Sequence, residues 1–244
     1  MRILVAIPVY NEIDHVDRVL DRVRAIHDDV LVIDDGSTDG TVQRLEARSD
    51  VRHIRHARNR GYGQSLIDAM DWAAYQGYDW AITMDCDEQH EPAHIPQFIQ
   101  AIQTDQWDLI SGSRYAQPRG DDDLPPGDRR LINATITQLL NDLLGLHITD
   151  AFCGFKAHRL AAMQRLDLTE AGYAFPMQLW PQAVKAGLRI TELPVRLIYN
   201  DPDRHFGGAL DNPQVRLRHY LDVLKAQLGY DPIRAARQPC SCAP

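Results

Sequence analysis

Apolar residues recur along the first half of the chain in two alternating rhythms. RILVAIPV (2–9), VLVID (30–34), VRHIRH (51–56), WAITMD (80–85) and WDLIS (107–111) are short runs rich in β-branched and apolar residues, and each predicts a strand. Between them the apolar positions fall three or four apart. Ile13, Val16, Val19, Leu20 and Val23 form one such stripe, with Asn11 placed to cap its helix. DGSTDG reads as a turn, where Ser37 or Thr38 can cap the helix that follows. Leu66, Ile67, Met70 and Ala74 predict another helix, and a further one is expected near 93–103. Strands alternating with helices over short links predict a mostly parallel sheet covered on both faces.

The second half has a different texture. YAQPRGDDDLPPGDRR is rich in Pro, Gly and charge and reads as a long surface loop, of the kind that is commonly functional. An amphipathic helix (128–145) follows, then the short stretch CGFKAH, a helical region at 174–186 and a strand within LRITELPVRLIY. DPDRHFGGALDNP is a second polar loop. A final helix (214–228) carries Val215, Leu217, Leu221, Leu224 and Leu228, with Arg216, Arg218 and His219 among them. No internal repeat or interdomain linker interrupts the chain. The expected organisation is a single α/β domain with a ligand-binding half at 1–115, a second half of the same domain at 116–230 and a flexible tail at 231–244.

Composition narrows the classes. Of 244 residues, 44% are apolar, enough for a sizeable core. The net charge of −8 argues against general nucleic-acid binding, although a local basic cluster or a metal can still hold phosphates. No apolar run approaches the roughly 20 residues that span a bilayer. Cys86 and Cys153 lie in structured segments, and Cys240 and Cys242 in the tail, so no disulfide framework is evident and a reducing cytoplasm is expected.

In parallel α/β sheets, ligands bind beyond the carboxyl ends of the strands. That rule gathers PVYNE, DDGSTDG, NRGYG and DCDEQ on one edge. No G-x-G-x-x-G follows the first strand and no Walker A sequence is present, which disfavours dinucleotide and P-loop chemistry. Tyr10 can stack or hydrogen-bond, and Glu12, Asp34 and Asp35 can accept from a base or a ribose; Asp35-Gly36-Ser37 also suits a simple turn. Asp85 and Asp87, one residue apart at a strand end, can approach one divalent cation, with Gln89 adding a neutral oxygen. Such ligands suit Mg²⁺ or Mn²⁺, although an acidic solvated loop has the same sequence. His90 and His94 lack a third zinc ligand, and His90 is expected to order the acid loop instead. Alternation along an extended run turns Glu88 outward and Cys86 into the core.

The order IPVYNE, VIDDGSTDGT, NRGYGQSL, MDCDEQHEP, SGSRY and CGFKAHR resembles the family 2 glycosyltransferases, and within them the dolichol-phosphate mannosyltransferase-like branch. The resemblance covers 3–160, with a fainter echo to 210. It implies a GT-A fold, a nucleotide-diphosphate-sugar donor such as GDP-mannose or a UDP-sugar, and inversion at the anomeric carbon. It implies that Pro8, Tyr10, Glu12, Asp34, Asp35, Gly61 and Asp85 hold the donor, and that Asp85, Asp87 and Gln89 hold the metal. Asp87, Arg114 and Asp150 become the catalytic candidates. The acceptor implied is a lipid phosphate, held by Arg114, Arg130, Lys156 and Arg204 with Arg129 nearby, while Arg119 reads as an ordinary surface charge. A phosphate monoester is already mostly dianionic and needs no general base. A hydroxyl acceptor needs one, and Asp150 is the candidate.

Two departures stand out. RHFGGAL (204–210) resembles the branch's R-x-x-G-x-S-K acceptor loop, but Gly208 and Ala209-Leu210 replace the Ser and Lys. No transmembrane segment follows, so the expected location is cytoplasmic, peripheral at the inner face of a membrane. The last helix either rests on lipid, with Arg216, Arg218 and His219 near headgroups, or packs on its own domain. The altered loop keeps open a hydroxyl-acceptor transferase and a non-catalytic nucleotide-sugar-binding module.

Overall fold

The computed structural model describes residues 1–117, 120, 122–200, 206–231 and 233. The chain runs β1 (Ile3–Val9), α1 (Val16–Arg24), β2 (Val30–Asp34), α2 (Thr41–Glu46), β3 (Arg52–Arg55), α3 (Tyr62–Tyr75), β4 (Trp80–Thr83), α4 (Ile95–Gln103) and β5 (Leu109–Ser113). It continues through α5 (Gly127–Leu144), β6 (Lys156–Arg159), α6 (Leu160–Met163), α7 (Phe175–Lys185), β7 (Ile190–Pro194) and α8 (Pro213–Leu228). One seven-stranded sheet takes the order β3-β2-β1-β4-β6-β5-β7. Both halves of the chain contribute strands to it, so they share one core-bearing sheet.

Alternation along the strands divides the core. Leu4 and Ala6 of β1, with Leu31 and Ile33 of β2, join the layer that holds α3 and α5–α8. Ile3, Val5 and Ile7 face the opposite layer, where Val16, Val19, Leu20 and Val23 of α1 and Ile95, Phe98 and Ile102 of α4 are buried. The i, i+3, i+4 and i+7 spacing in α1 places its apolar residues on one stripe, which is why this segment is helical on the sheet surface.

The stretch CGFKAH, to which the local pattern assigns no element, leads into β6, and β6 lies inside the sheet. It is antiparallel to both neighbours, with Thr83 opposite Lys156 on one side and Ser111 opposite Lys156 on the other. Because β6 runs backwards, its amino end arrives at the edge where the other strands end. That reversal brings Asp150, Cys153 and Gly154 to the ligand edge. Four residues carrying Lys156 and His158 have no strand signature of their own. Inside the sheet Lys156 Nζ donates to Ser111 Oγ at 2.6 Å and sits 4.9 Å above the Trp180 ring, and His158 Nε2 lies 3.3 Å from Thr83 Oγ1, while His158 Nδ1 is buried without a hydrogen-bond partner.

Several local expectations shift. Asn11 does not cap α1, which begins at Val16; its own φ is 56°, and its side chain accepts from Thr38 N–H at 2.8 Å. Ser37 and Thr38 do not cap α2 either. The cap position is Gly40, and Asp39 just before it accepts from Thr41 N–H at 2.9 Å. The strand expected within 188–199 is only Ile190–Pro194. On α8, Arg216, Tyr220 and Leu224 are buried, and Leu217, Leu221 and Leu228 pack against the domain core. The apolar face of this helix therefore covers its own domain, and Arg216 points inward rather than toward lipid. Among the described residues, no helix is long and apolar enough to cross a membrane. Most of the 231–244 tail, including Cys240 and Cys242, lies outside the described residues.

Burial lowers the pKa of Lys156 from its ordinary value, so holding this cation in the core is itself costly. Lys156→Met keeps the volume and removes the charge. Its urea-unfolding free energy is expected to stay within about 1 kcal/mol of the unsubstituted protein or rise.

Candidate active site

A cavity of about 540 Å³ opens at the carboxyl edge of the parallel strands, within the size range of small-molecule sites. Pro8, Tyr10, Glu12, Asp35, Gly61, Asp85, Asp87, Gln89 and Arg114 all line it. Topology explains the convergence: β1, β2, β4 and β5 all end here. Asp34, Asp150, Arg130 and Lys156 do not line the cavity, and Arg204 and Arg119 lie outside the described residues.

The acid loop after β4 is held from several sides. Asp85 N–H donates to His90 Nδ1 at 2.9 Å, and Tyr62 OH donates to Asp85 Oδ1 at 2.8 Å. His90 thus orders the loop, whereas His94 contacts Gln97 and the Arg196 backbone. Asp87 Oδ1 accepts from Gln89 N–H at 3.0 Å, and Asn200 Nδ2 donates to the Asp87 carbonyl at 3.1 Å. Glu88 does turn outward, but by a left-handed backbone (φ 61°) rather than by strand alternation. Its carboxylate accepts from Arg18 and pairs with His15, and Arg18 first among these holds its pKa down at about 2. Cys86 is buried in the core and also touches the cavity.

Gly154, at the approach to β6, lies against this loop. A Cβ there would stand 2.5 Å from the Tyr62 hydroxyl and 2.7 Å from Asp85 Oδ2, so only glycine admits this packing. Gly63 and Gly61 have the same role on α3, where a Cβ would meet the carbonyls of Glu170 and Ala171 at 2.2 and 2.3 Å. Tyr62 is thereby inserted beside the acids, and its ring stacks on Tyr173 at 5.6 Å. Neither Tyr62 nor Tyr173 is among the site residues expected from sequence; the glycines flanking Tyr62 are the signal that could have found it, and Tyr173 carries none.

Asp34 and Asp35 separate in function. Asp34 is fully buried and accepts from Ser37 N–H at 3.0 Å, which shapes the turn. Asp35 reaches the cavity wall, and its oxygens also accept from the N–H groups of Arg60 and Gly61 at 2.7 and 2.8 Å.

Arg114, just after β5, is fixed by a buried partner. Asp150 accepts from its Nε at 2.6 Å and its Nη2 at 2.9 Å, and from Asn133 Nδ2 at 2.8 Å. Burial alone would raise the pKa of Asp150, but the adjoining Arg114 charge overrides it and leaves it at about 2. A carboxylate so engaged and so acidic is a poor proton acceptor. Its geometry is that of a side chain that orients Arg114, not of a base facing an acceptor.

Beyond Arg114 the wall is cationic and aromatic. Arg129 and Arg216 line the cavity, with their guanidinium carbons 4.8 and 4.4 Å from the Phe206 ring centre. Tyr173 meets Phe206 edge-on at 5.3 Å. Arg216 is buried, donating to Asp128 Oδ2 at 2.6 Å and to the Leu210 carbonyl at 2.9 Å. Arg130 is exposed and lies 3.7 Å over the Tyr115 ring, so within the RR pair it is Arg129 that faces the cavity. A helix turns consecutive residues about 100° apart, and which of the two faces inward depends on how α5 seats on the sheet.

The family description "Glycosyl transferase family 2" matches residues 4–166. The chain belongs to that family. It is 33% identical over 245 residues to the undecaprenyl-phosphate mannosyltransferase of Micrococcus luteus, covering 94% of this chain and 100% of that one. It is 32% identical over 206 residues to the polyprenol monophosphomannose synthase of Mycolicibacterium smegmatis, covering 80% and 76%. These relatives agree with the dolichol-phosphate mannosyltransferase-like branch. Among solved structures, glucosyl-3-phosphoglycerate synthase of Mycobacterium tuberculosis with bound UDP aligns with a TM-score of 0.70 at 21% identity, covering 94% of this chain and 80% of that one. That likeness shows the fold, GT-A, and the protein is a glycosyltransferase of this fold.

Asp150 gives a pH-dependent expectation. Its pKa of about 2 in the fold lies below the ordinary value of about 3.9, so its stabilisation is complete above about pH 5 and is lost as pH falls toward 2. Asp150→Asn is expected to cost about 3–5 kcal/mol at pH 7, because Arg114 loses its buried partner. The gap should narrow in urea unfolding at pH 3.

Proposed function

We propose that the enzyme transfers mannose from GDP-mannose to a polyprenyl phosphate with inversion at the anomeric carbon. The observation that carries this reading is a single cavity with carboxylates on one wall and Arg114, Arg129 and Arg216 on the other. The named activities of the two bacterial relatives support it.

On the donor side, Pro8, Tyr10, Glu12, Asp35 and Gly61 are assigned to the nucleoside. Asp85, Asp87 and Gln89 are assigned to a divalent cation. Two carboxylates and an amide oxygen on one wall suit Mg²⁺ or Mn²⁺, which fill their shells with phosphate and water. Gln89 Nε2 is buried without a hydrogen-bond partner, a free donor suited to a phosphate oxygen, which leaves Oε1 as the atom that would face the cation. Among the described residues no cluster of three His, Cys, Asp or Glu side chains could hold a metal ion by itself. Bound there, the cation would neutralise charge on the leaving diphosphate. Glucosyl-3-phosphoglycerate synthase has been crystallised with Mg²⁺ and UDP and with Mn²⁺ and UDP-glucose.

Arg114, held rigid by Asp150, is assigned to phosphate oxygens whose charge grows as the sugar departs; a preoriented cation there strengthens in the transition state. Arg129 and Arg216 are assigned to the acceptor phosphate, in the place that sequence gave to Arg130 and Lys156. They supply the cations that the Gly208-Ala209-Leu210 segment lacks. Asp150 is spent on Arg114, which favours an acceptor that is already ionised over a hydroxyl needing a base. The proposed setting is the inner face of a membrane, where such a lipid resides.

The test is transfer of radiolabelled mannose from GDP-mannose to polyprenyl phosphate with Mn²⁺, beside UDP-sugars and a phosphoglycerate acceptor. Lipid-linked mannose is the expected product. Asp87→Ala should lower kcat at least about 100-fold. Arg129→Ala should raise the acceptor KM about tenfold while leaving the donor KM within about twofold. Turnover only with phosphoglycerate, or only with UDP-sugars, would overturn the acceptor or the donor assignment respectively.

A further inference from the structure

His56 touches Asp35, on the cavity wall, from behind. It follows β3 and is buried, and its N–H donates to the Asp34 carbonyl at 2.8 Å, which extends the β2–β3 ladder by one residue. Its Nδ1 lies 2.7 Å from Asp35 Oδ1. Its Nε2 lies 2.9 Å from Asp68 Oδ2 on α3, an ion-pair distance without the alignment of a hydrogen bond. Carboxylate oxygens only accept, so the bond to Asp35 is donated by Nδ1–H.

Asp35 is nearly saturated from the protein side. Oδ1 accepts from His56 and from Arg60 N–H at 2.7 Å, and Oδ2 accepts from Gly61 N–H at 2.8 Å. A carboxylate has about four acceptor positions, so about one remains, on Oδ2. Asp35 lines the cavity while its side chain is otherwise enclosed.

We infer that His56 is a positioning residue for the donor nucleoside: by filling Oδ1 of Asp35 it fixes the carboxylate so that the remaining position on Oδ2 faces an N–H or O–H of the bound base or ribose. Asp68 lies against the far side of the His56 ring and is itself held by Arg60 Nη1 and Gln64 Nε2, both at 2.8 Å. The end of β2, the loop His56–Gly61 and the first turns of α3 are joined through these groups. A preoriented acceptor loses less freedom when the ligand arrives, which strengthens binding without touching the reacting atoms. The inference rests on the donor reading above.

The experiment measures GDP and UDP binding by titration calorimetry, together with donor KM, acceptor KM, kcat and Tm, for the unsubstituted protein, His56→Leu and His56→Asn. His56→Leu should weaken binding of the preferred nucleoside diphosphate and raise the donor KM about tenfold, with acceptor KM and kcat within about twofold. His56→Asn, whose amide N–H can reach Asp35, should recover most of the loss. Undiminished binding by His56→Leu overturns the inference alone. So does a fall in every parameter together with Tm that Asn does not rescue, since that marks a purely structural side chain. Failure of the unsubstituted protein to bind either nucleotide overturns the donor reading beneath it.

Discussion

Crowding of carboxylates at one sheet edge is the constraint around which this structure is organised. Glu12, Asp34, Asp35, Asp85, Asp87 and Asp150 all reach the carboxyl ends of the strands, where like charges repel and burial removes water. Different donors settle several of them. Asp34 takes the Ser37 amide, Asp35 takes His56 and two loop amides, Asp85 takes Tyr62, Asp87 takes the Gln89 amide, and Asp150 takes Arg114 and Asn133. Each solution pins one loop. The acids therefore act as nodes that knit DDGS, NRGYG and DCDEQ into one wall, besides what they present to a ligand, while PVYNE is tied on through Asn11, Ser37 and Thr41.

Arg114 joins that wall to the other half of the cavity. Its partner Asp150 comes from the segment before β6, and Asn133 on α5 braces the same carboxylate. A single buried pair thus couples the end of β5, the α5 helix and the entry to β6. Beyond it, Phe206 lies between the guanidinium groups of Arg129 and Arg216. Stacking on a ring holds a guanidinium in place at little cost in hydrogen-bonding capacity. The proposed acceptor side is therefore built from arginines of α5 and α8 around Phe206 from the segment before α8, and the proposed donor side from strand ends.

Local pattern was sufficient for much of this. The period-2 runs and the three-and-four spacing gave the strands and helices of the first half within a few residues, because those elements bury one continuous stripe or face. The placement rule for ligands gathered PVYNE, DDGSTDG, NRGYG and DCDEQ, and the family resemblance added Arg114; Pro8, Tyr10, Glu12, Asp35, Gly61, Asp85, Asp87, Gln89 and Arg114 line the cavity, and Asp34 does not. Asn11 and Ser37 were misread as helix caps for a definite reason. Both side chains bridge the loops that follow β1 and β2, Ser37 Oγ accepting from the Asn11 backbone N–H and Asn11 Oδ1 from Thr38 N–H, and sequence cannot show partners 26 and 27 positions away.

By itself, then, the sequence determined the β/α alternation, the edge where the acids collect and the family to which the chain belongs, since these follow from short-range periodicity and from motifs a few residues long. Tertiary structure alone decided that CGFKAH leads into an antiparallel strand inside the sheet, that Lys156 is core, that Asp150 serves Arg114, and that Arg129 rather than Arg130 meets the cavity. Each of these depends on pairings between distant segments, and a Lys or an Asp reads as surface until the structure supplies the partner that permits its burial.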